Sequence, residues 1–303
     1  MPVVQAFRIL TVAVSLLGVT AACSSSDPSA TNSNATSSSG TLIRVTGSDT
    51  MVNLVQAWAE NYKKARPEVA VQVAGGGSGV GIAGLINGIV DIAASSREME
   101  PNEIEKAKKT NGQEPKEYTV ALDALSIYAH KSNPLETIAI EELAEIYGDG
   151  AKIVKWSQLN TKNAACASDA IIRVSRQNNS GTFVYFREAV LGREREYKMG
   201  SIDQSGSKDV VTLVSRTPCA VGYSGMAYAT PDVKELKVAK KKGEPAVAAS
   251  AQTAIDGTYP LARKLYLYTR QEPTGQIKDF LDWVTGAEGQ KIVEAIGYVP
   301  VAK

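Results

Sequence analysis

Residues 71–96, VQVAGGGSGVGIAGLINGIVDIAASS, indicate the fold class of this chain. The β-branched residues at the start are typical of a strand, and a glycine-rich loop leads from them into a helical pattern at 82–88 and a short apolar strand at 91–94. A strand, a helix and a second strand in this order form the unit of α/β folds. The loop also offers backbone N–H groups at the start of a helix, where anions bind.

The same alternation extends in both directions from this stretch. The expected strands lie at 42–46, 69–73, 91–94, 124–129, 171–175, 220–223 and 264–268, and the expected helices at 51–66, 82–88, 140–147, 183–191, 210–215, 276–284 and 287–296. This order predicts an α/β fold with a largely parallel sheet, in which ligands bind beyond the carboxyl ends of the strands. Three of these ends carry glycine or small hydroxyl residues, at 48–50, 75–79 and 95–96.

The charges of the chain nearly balance, with 33 Lys and Arg against 32 Asp and Glu in 303 residues. This balance gives no reason to expect nucleic acid or a membrane surface as the main partner. Recognition of an anion must therefore come from a local site. The length allows one large domain or two of medium size.

The first 40 residues predict export from the cytoplasm. A charged and then apolar stretch makes residues 1–22 resemble a signal peptide. The small residues before Cys23 resemble a bacterial lipobox, in which this cysteine is lipidated and anchors the protein to the membrane; a plain secretory signal cut near Ala22 is the alternative. Residues 23–40 are almost wholly Ser, Thr, Asn and Ala, which predicts a flexible linker. We therefore expect a periplasmic or cell-surface location, where ATP and NAD are scarce.

Little in the sequence points to catalysis. His130 is the one histidine, and no G-x-S-x-G or H-E-x-x-H motif accompanies it. A literal G-x-G-x-x-G at Gly79, Gly81 and Gly84 follows the second predicted strand rather than the first, which disfavours a dinucleotide site. No Cys or His cluster has zinc spacing. We therefore expect neither an enzyme nor a protein that carries a cofactor or a metal.

Two cysteines remain beyond the linker, Cys166 and Cys219, and each precedes a predicted strand. In an oxidising compartment we expect them to form a disulfide, with two buried thiols as the alternative.

Three groups of hydrogen-bond donors lie at predicted helix starts: 49–50, 77–79 and 180–182. Each combines backbone N–H groups with a hydroxyl, and the helix dipole favours a negative guest there. Arg176 lies four residues before the third group and adds a planar fork of donors. A tetrahedral oxyanion stripped of water needs many donors at once, because each unmet lone pair is costly. Ordinary helix caps are the alternative for any single group.

These segments resemble one protein family. The matching stretches are VTGSDTM at 45–51, GGGSGVGIAGLINGIVDIAASSRE at 75–98, LDALSIYAHKSNPL at 122–135, VSRQNNSGTFVYF at 174–186, CAVGYSGMAYA at 219–229 and YPLARKLYLYT at 259–269. Over nearly all of residues 41–303 the chain is similar to the phosphate-binding lipoproteins of ATP-driven phosphate importers, which are type II periplasmic binding proteins. The resemblance implies two α/β lobes joined by two crossover strands, with lobe 1 at 41–125 and 264–303 and lobe 2 at 126–263.

The resemblance also implies a site and its partners. By motif, the ligand-binding residues are Thr50, Met51 through its backbone N–H, Ser78, Ser96, Arg176, Ser180, Gly181 and Thr182. They would bind inorganic phosphate at the interface of the lobes, and the protein would deliver it to the membrane permease of an ABC importer. We expect a monomer.

The chain departs from the pattern of the family at two positions. Ser96 stands where well-known members have an aspartate that accepts a phosphate proton and repels sulfate, and Asn178 stands where members often have Asp. Asp49 is a conceivable substitute acceptor. The resemblance therefore leaves discrimination of phosphate from sulfate or arsenate open, and a receptor for another tetrahedral oxyanion is the alternative. An extracellular phosphatase and a phosphate sensor or adhesin are alternatives from other classes.

Overall fold

The computed structural model describes residues 40–301. The predicted signal peptide at 1–22, the lipidation site Cys23 and all but the last residue of the linker at 23–40 lie outside the described residues. Among the helices of the described part, none is long and apolar enough to cross a membrane.

Strands and helices alternate through the described part of the chain. The strands are β1 (Thr41–Gly47), β2 (Val69–Ala74), β3 (Ile92–Ser95), β4 (Lys116–His130), β5 (Thr137–Ala139), β6 (Ile172–Arg176), β7 (Ile202–Gln204), β8 (Ala220–Gly225), β9 (Val233–Ala239) and β10 (Ala262–Thr269). The α-helices are α1 (Val52–Ala65), α2 (Ser78–Ile86), α3 (Pro101–Asn111), α4 (Ile140–Tyr147), α5 (Gly181–Phe186), α6 (Ser207–Arg216), α7 (Ala251–Ile255), α8 (Gly275–Thr285) and α9 (Ala287–Ala295).

The sheet is mixed rather than largely parallel. Its order is β2-β1-β3-β10-β4-β8-β6-β7, with β9 paired to β4 and β5 paired to β9. The pairs β1–β2, β1–β3, β6–β7 and β6–β8 are parallel, as the sequence predicts, but β4 and β10 pair antiparallel with each other and with β8 and β3. The reason is topological: β4 carries the chain from one lobe to the other and β10 brings it back, so the two strands run in opposite directions.

Separate hydrophobic clusters lie on the two sides of these connecting strands. On the side of β1–β3, Trp58 and Tyr62 of α1 are buried against Phe280 of α8. On the side of β6–β8, Phe186 and Tyr223 stack with their ring centroids 3.9 Å apart, inside a cluster that also buries Trp156. The described residues therefore form an α/β fold of two lobes joined by crossover strands, which is the architecture that the resemblance implies.

Several elements differ from the sequence prediction. The helix expected at 82–88 begins at Ser78, because Gly77 with φ +94° supplies the turn before it. The strand expected at 124–129 extends over 15 residues, since β4 spans both lobes. The structure also contains α3, β5, β7, β9 and α7, which the sequence did not predict. Short length explains β5, β7 and α7, whereas α3 lacks an apolar face because only its Ala107 is buried.

Cys166 and Cys219 form a disulfide in the second lobe, with an S–S distance of 1.99 Å. The bond ties the loop before β6 to the start of β8, and Trp156 Nε1 donates to the Cys219 carbonyl at 3.1 Å. It holds the far ends of β6 and β8, not the ends that carry the hydroxyl residues.

Candidate anion-binding site

The carboxyl ends of β1, β2 and β3 bring hydroxyl groups of lobe 1 together. Ser48 follows β1, Ser78 opens α2 after β2, and Ser96 follows β3. Ser48 Oγ donates to Ser96 Oγ at 2.9 Å, and the Ser96 N–H donates to Ser78 Oγ at 3.1 Å. Parallel strands end at one edge of a sheet, which is why residues up to 48 positions apart in the chain meet here.

Lobe 2 contributes residues from the carboxyl ends of β6 and β7. β6 ends at Arg176, and Ser180 caps the short helix α5 by accepting the Thr182 N–H at 3.2 Å. Ser207 opens α6 after β7. All of these side chains are buried.

The two sets meet across the interface of the lobes. Thr50 Oγ1 lies 2.9 Å from Thr182 Oγ1 and 3.4 Å from Ser207 Oγ. A Cβ atom at Gly181 would lie only 2.3 Å from Ser78 Oγ and 2.7 Å from Ser96 Oγ, so the glycine permits this approach. We refer to the side chains of Ser48, Thr50, Ser78, Ser96, Thr182 and Ser207 as the hydroxyl cluster.

Arg176 is buried at the edge of the hydroxyl cluster, and both terminal nitrogens of its guanidinium group donate hydrogen bonds. Nη1 donates to Ser207 Oγ at 2.9 Å, and Nη2 donates to the Ser205 carbonyl at 2.7 Å and to Asp49 Oδ2 at 3.1 Å. Burial lowers the pKa of Arg176, and the carboxylate of Asp49 acts against this shift. The ion pair with Asp49 joins the lobes directly.

Two hydroxyl groups of the cluster, those of Ser78 and Ser207, are oriented to donate. Ser78 Oγ accepts a backbone N–H, and Ser207 Oγ accepts the Arg176 N–H. A hydroxyl has one proton, and a hydroxyl that accepts from a fixed N–H must direct that proton elsewhere. These protons are therefore available to an anion at the interface of the lobes, which is the arrangement that a desolvated oxyanion requires.

Hydrogen bonds to backbone groups join the two lobes beside the hydroxyl cluster. Asn179 of lobe 2 donates through Nδ2 to the Gly76 carbonyl at 2.9 Å, and its own carbonyl accepts the Gly79 N–H at 3.0 Å. The Tyr228 hydroxyl lies 3.0 Å from the carbonyl oxygens of both Asp49 and Thr50. Burial raises the pKa of Tyr228 to about 12, so this phenol keeps its proton at neutral pH and donates.

The structure brings seven of the eight predicted site residues together at the interface of the lobes. Six of them lie there with their side chains, and Gly181 lies there through the close approach of its backbone. The eighth is Met51, whose backbone N–H donates to the Ser48 carbonyl at 2.9 Å and whose side chain packs in the core of lobe 1. Arg97, next to Ser96, turns away and pairs with Glu103 at 2.7 Å. Asn178 is exposed, whereas Asp49 reaches Arg176.

The sequence prediction missed several residues near the cluster, among them Tyr228. Ser207 follows a glycine before a helix, as Ser78 does, and this signal was available. Asn179 lies inside a predicted motif and carried no distinguishing feature. Asp123 and Arg263 are charged residues within the apolar segments of the two connecting strands, and that contrast is the signal that could have found them.

The donor set suits an anion rather than a metal. Within residues 40–301, no group of three or more His, Cys, Asp and Glu lies close enough to hold a metal ion. Hydroxyl and guanidinium donors from both lobes instead converge on one buried place.

The chain is similar to known proteins over most of its length. A family model described as a PBP superfamily domain matches residues 28–288. The phosphate-binding protein PstS of Pseudomonas aeruginosa is 33% identical to this chain, over 96% of the chain and 93% of the relative. PstS of Bacillus subtilis is 31% identical, over 87% of the chain and 81% of the relative.

Solved structures show the same fold. A Clostridium perfringens protein assigned as a phosphate ABC transporter substrate-binding protein, with bound phosphate, has a TM-score of 0.76 at 26% identity, over 86% of this chain and 100% of that one. An ABC-type phosphate transport receptor from Vibrio cholerae has a TM-score of 0.67 at 25% identity, again over 86% and 100%.

Proposed function

The chain belongs to the PBP superfamily and, within it, to the PstS family of phosphate-binding proteins, and on this basis we propose that it captures inorganic phosphate between its two lobes and delivers it to the membrane permease of an ABC importer. It acts as a receptor and performs no chemistry. Binding is followed by closure of the lobes on the anion.

One observation carries this proposal: donors from separate lobes converge at a buried interface. Thr50 of lobe 1 and Thr182 of lobe 2 are 132 positions apart, and their hydroxyl oxygens lie 2.9 Å apart. Arg176 supplies the positive charge. We propose that the ligand set is the predicted one, Thr50, Met51, Ser78, Ser96, Arg176, Ser180, Gly181 and Thr182, with Ser207 added.

The setting of the receptor is part of the same proposal. The lobes extend over 41–125 with 264–303 and over 126–263. Residues 1–22 are removed, Cys23 carries the lipid, and residues 23–40 let a monomeric receptor on the membrane reach its permease from the periplasm or the cell surface.

Isothermal titration calorimetry tests the function directly. The protein without its first 40 residues is titrated with phosphate, sulfate and arsenate at low micromolar protein concentration. Saturable heat with phosphate at micromolar concentrations or below is expected. No heat with phosphate would overturn the proposal, and turnover of a phosphate ester would identify a phosphatase instead.

A second candidate is a receptor for another tetrahedral oxyanion, and Ser96 favours it. This residue presents a hydroxyl, and its own oxygen accepts from Ser48 Oγ at 2.9 Å, so its proton is left to donate. A donor at this position suits an oxyanion without protons, such as sulfate, as well as it suits phosphate. Tighter binding of sulfate than of phosphate in the same titration would decide for this candidate.

A further inference from the structure

Asp123 and Arg263 form a buried ion pair across the two strands that connect the lobes. They are direct cross-strand partners in the β4–β10 register. Arg263 donates to Asp123 Oδ2 through Nε at 3.0 Å and through Nη2 at 2.8 Å, and both side chains are almost completely buried. Burial of an ion pair is costly, and a pair of this kind is weak support for a purely stabilising role.

The third guanidinium nitrogen of Arg263, Nη1, does not bond to Asp123 but contacts the hydroxyl cluster. Nη1 donates to Thr182 Oγ1 of lobe 2 at 3.1 Å and lies 3.3 Å from the Ser96 carbonyl of lobe 1. The guanidinium carbon also lies 5.4 Å from the centre of the Tyr185 ring in lobe 2. One side chain of the connecting strands thus contacts both lobes beside the anion site.

The bond to Thr182 determines what its hydroxyl can do. A guanidinium N–H only donates, so Thr182 Oγ1 must accept there, and its proton must be directed away from Arg263. The adjacent groups on that other side are Thr50 Oγ1, 2.9 Å away, and any anion between the lobes.

Arg263 also adds positive charge to the site. Its charge contributes to the lowering of the pKa of Arg176, behind the larger effect of burial. The two guanidinium groups are therefore close enough to interact electrostatically.

We propose that Arg263, held by Asp123, is a second cation of the anion site. It is also a positioning residue, which orients the Thr182 hydroxyl as a donor and bonds this hydroxyl to the strands that connect the lobes. This inference rests on the proposed function as an anion receptor. It adds a residue from the connecting strands to a predicted ligand set whose members all lie outside β4 and β10.

The test is a double-mutant cycle on anion affinity with Arg263→Gln and Thr182→Val. Each single variant is expected to weaken phosphate binding about 10- to 100-fold. If Arg263 acts through the Thr182 hydroxyl, the double variant loses at least about fivefold less than the product of the single losses. A fully additive cycle, or unchanged affinity in Arg263→Gln, would overturn the inference.

Two further variants keep the test decisive. Lys264→Gln removes a charge from the next residue of the same strand, which is exposed, and should leave the affinity unchanged. If Arg263→Gln fails to fold because Asp123 is left unpaired, Asp123→Asn with Arg263→Gln replaces the ion pair by two amides and takes its place in the cycle. Thermal unfolding of each variant establishes that it is folded.

The outcome for the inference is distinct from the outcome for the proposed function. If the wild-type protein binds sulfate or arsenate but not phosphate, the phosphate proposal fails, and the cycle with the bound anion still tests Arg263. If the wild-type protein binds phosphate and the cycle is additive, only the inference on Arg263 fails. A wild-type protein that binds none of the three anions overturns both.

Discussion

A methyl group added at Gly181 should keep the lobes from closing. The new Cβ would lie 2.3 Å from Ser78 Oγ and 2.7 Å from Ser96 Oγ, both in the opposite lobe. Rotation of the Ser78 hydroxyl does not relieve the clash, because Ser78 Cβ itself would be 3.0 Å away. The first helical position of α5 accepts alanine without backbone strain. Gly181→Ala should therefore fold normally and fail to close.

The magnitude follows from the bonds that separation would break. Relief of the clash requires the lobes to part by about 1 Å at this point. That shift takes the Thr50–Thr182 contact and both hydrogen bonds of Asn179 to about 4 Å, beyond hydrogen-bond distance. Three bonds worth about 1 kcal/mol each amount to about 3 kcal/mol, or roughly a 100-fold loss of phosphate affinity.

Two measurements together test this reasoning. Calorimetry gives the phosphate affinity, and small-angle X-ray scattering with and without phosphate shows whether the lobes close. Gly79→Ala is the matched control: its Cβ would lie 3.4 Å from the Asn179 carbonyl, an ordinary contact at the same interface, so affinity within about threefold of wild type is expected. Phosphate affinity of Gly181→Ala within threefold of wild type would refute the reasoning that the added methyl group keeps the lobes apart.

Three further predictions address the site and the stability of the fold. Arg176→Ala should weaken phosphate binding at least about 100-fold in calorimetry; because Arg176 is buried and paired with Asp49, thermal unfolding must establish that the variant is folded, and retained affinity would mean that the cation of the site lies elsewhere. Joint replacement of Cys166 and Cys219 by alanine should lower the free energy of unfolding in urea by about 2–4 kcal/mol, since the bond closes a loop with a sequence separation of 53; an unchanged midpoint would contradict this. Burial raises the pKa of Asp91, but hydrogen bonds from Arg44 outweigh burial and hold this pKa below the ordinary value of an aspartate. The carboxylate therefore stabilises the fold above the ordinary pKa, and this stabilisation is lost as the pH falls through the lowered pKa. Asp91→Asn should thus be less stable than wild type at neutral pH, and the difference should vanish in acid; a difference independent of pH would contradict the assignment.

Local sequence signals were sufficient for the elements that carry most of the site. The helix predicted at 51–66 is α1, and the apolar residues that recur there at helical spacing, Leu54, Val55, Trp58 and Tyr62, are all buried. The serine and glycine residues at strand ends predicted where donors would gather, because strand ends of parallel sheets meet at one edge. These features depend on short stretches of chain, which is why they can be recognised without the fold.

Features that depend on distant pairing could not be predicted in the same way. Asp123 and Arg263 are 140 positions apart, and only the register of β4 against β10 makes them partners. The contact of Asp49 with Arg176 likewise depends on how the lobes meet, over 127 positions. The helix α3 was missed although a local signal existed, since Pro101 at its start and Glu103, which accepts the Glu100 N–H at 2.8 Å, are typical of a helix start.

The charges around the site explain why geometry should matter more than net charge. Arg176 is matched by Asp49, and Arg263 is matched by Asp123, so each guanidinium that faces the hydroxyl cluster already has a carboxylate partner. These two pairs therefore give the site no surplus of positive charge, and an anion that enters is held by the number and direction of its hydrogen bonds, those from the two guanidinium groups included. Those bonds come from both lobes and are complete only when the lobes are closed. Affinity should for this reason fall further with the methyl group of Gly181→Ala, which leaves every charge in place, than with a neutralised exposed lysine such as Lys264.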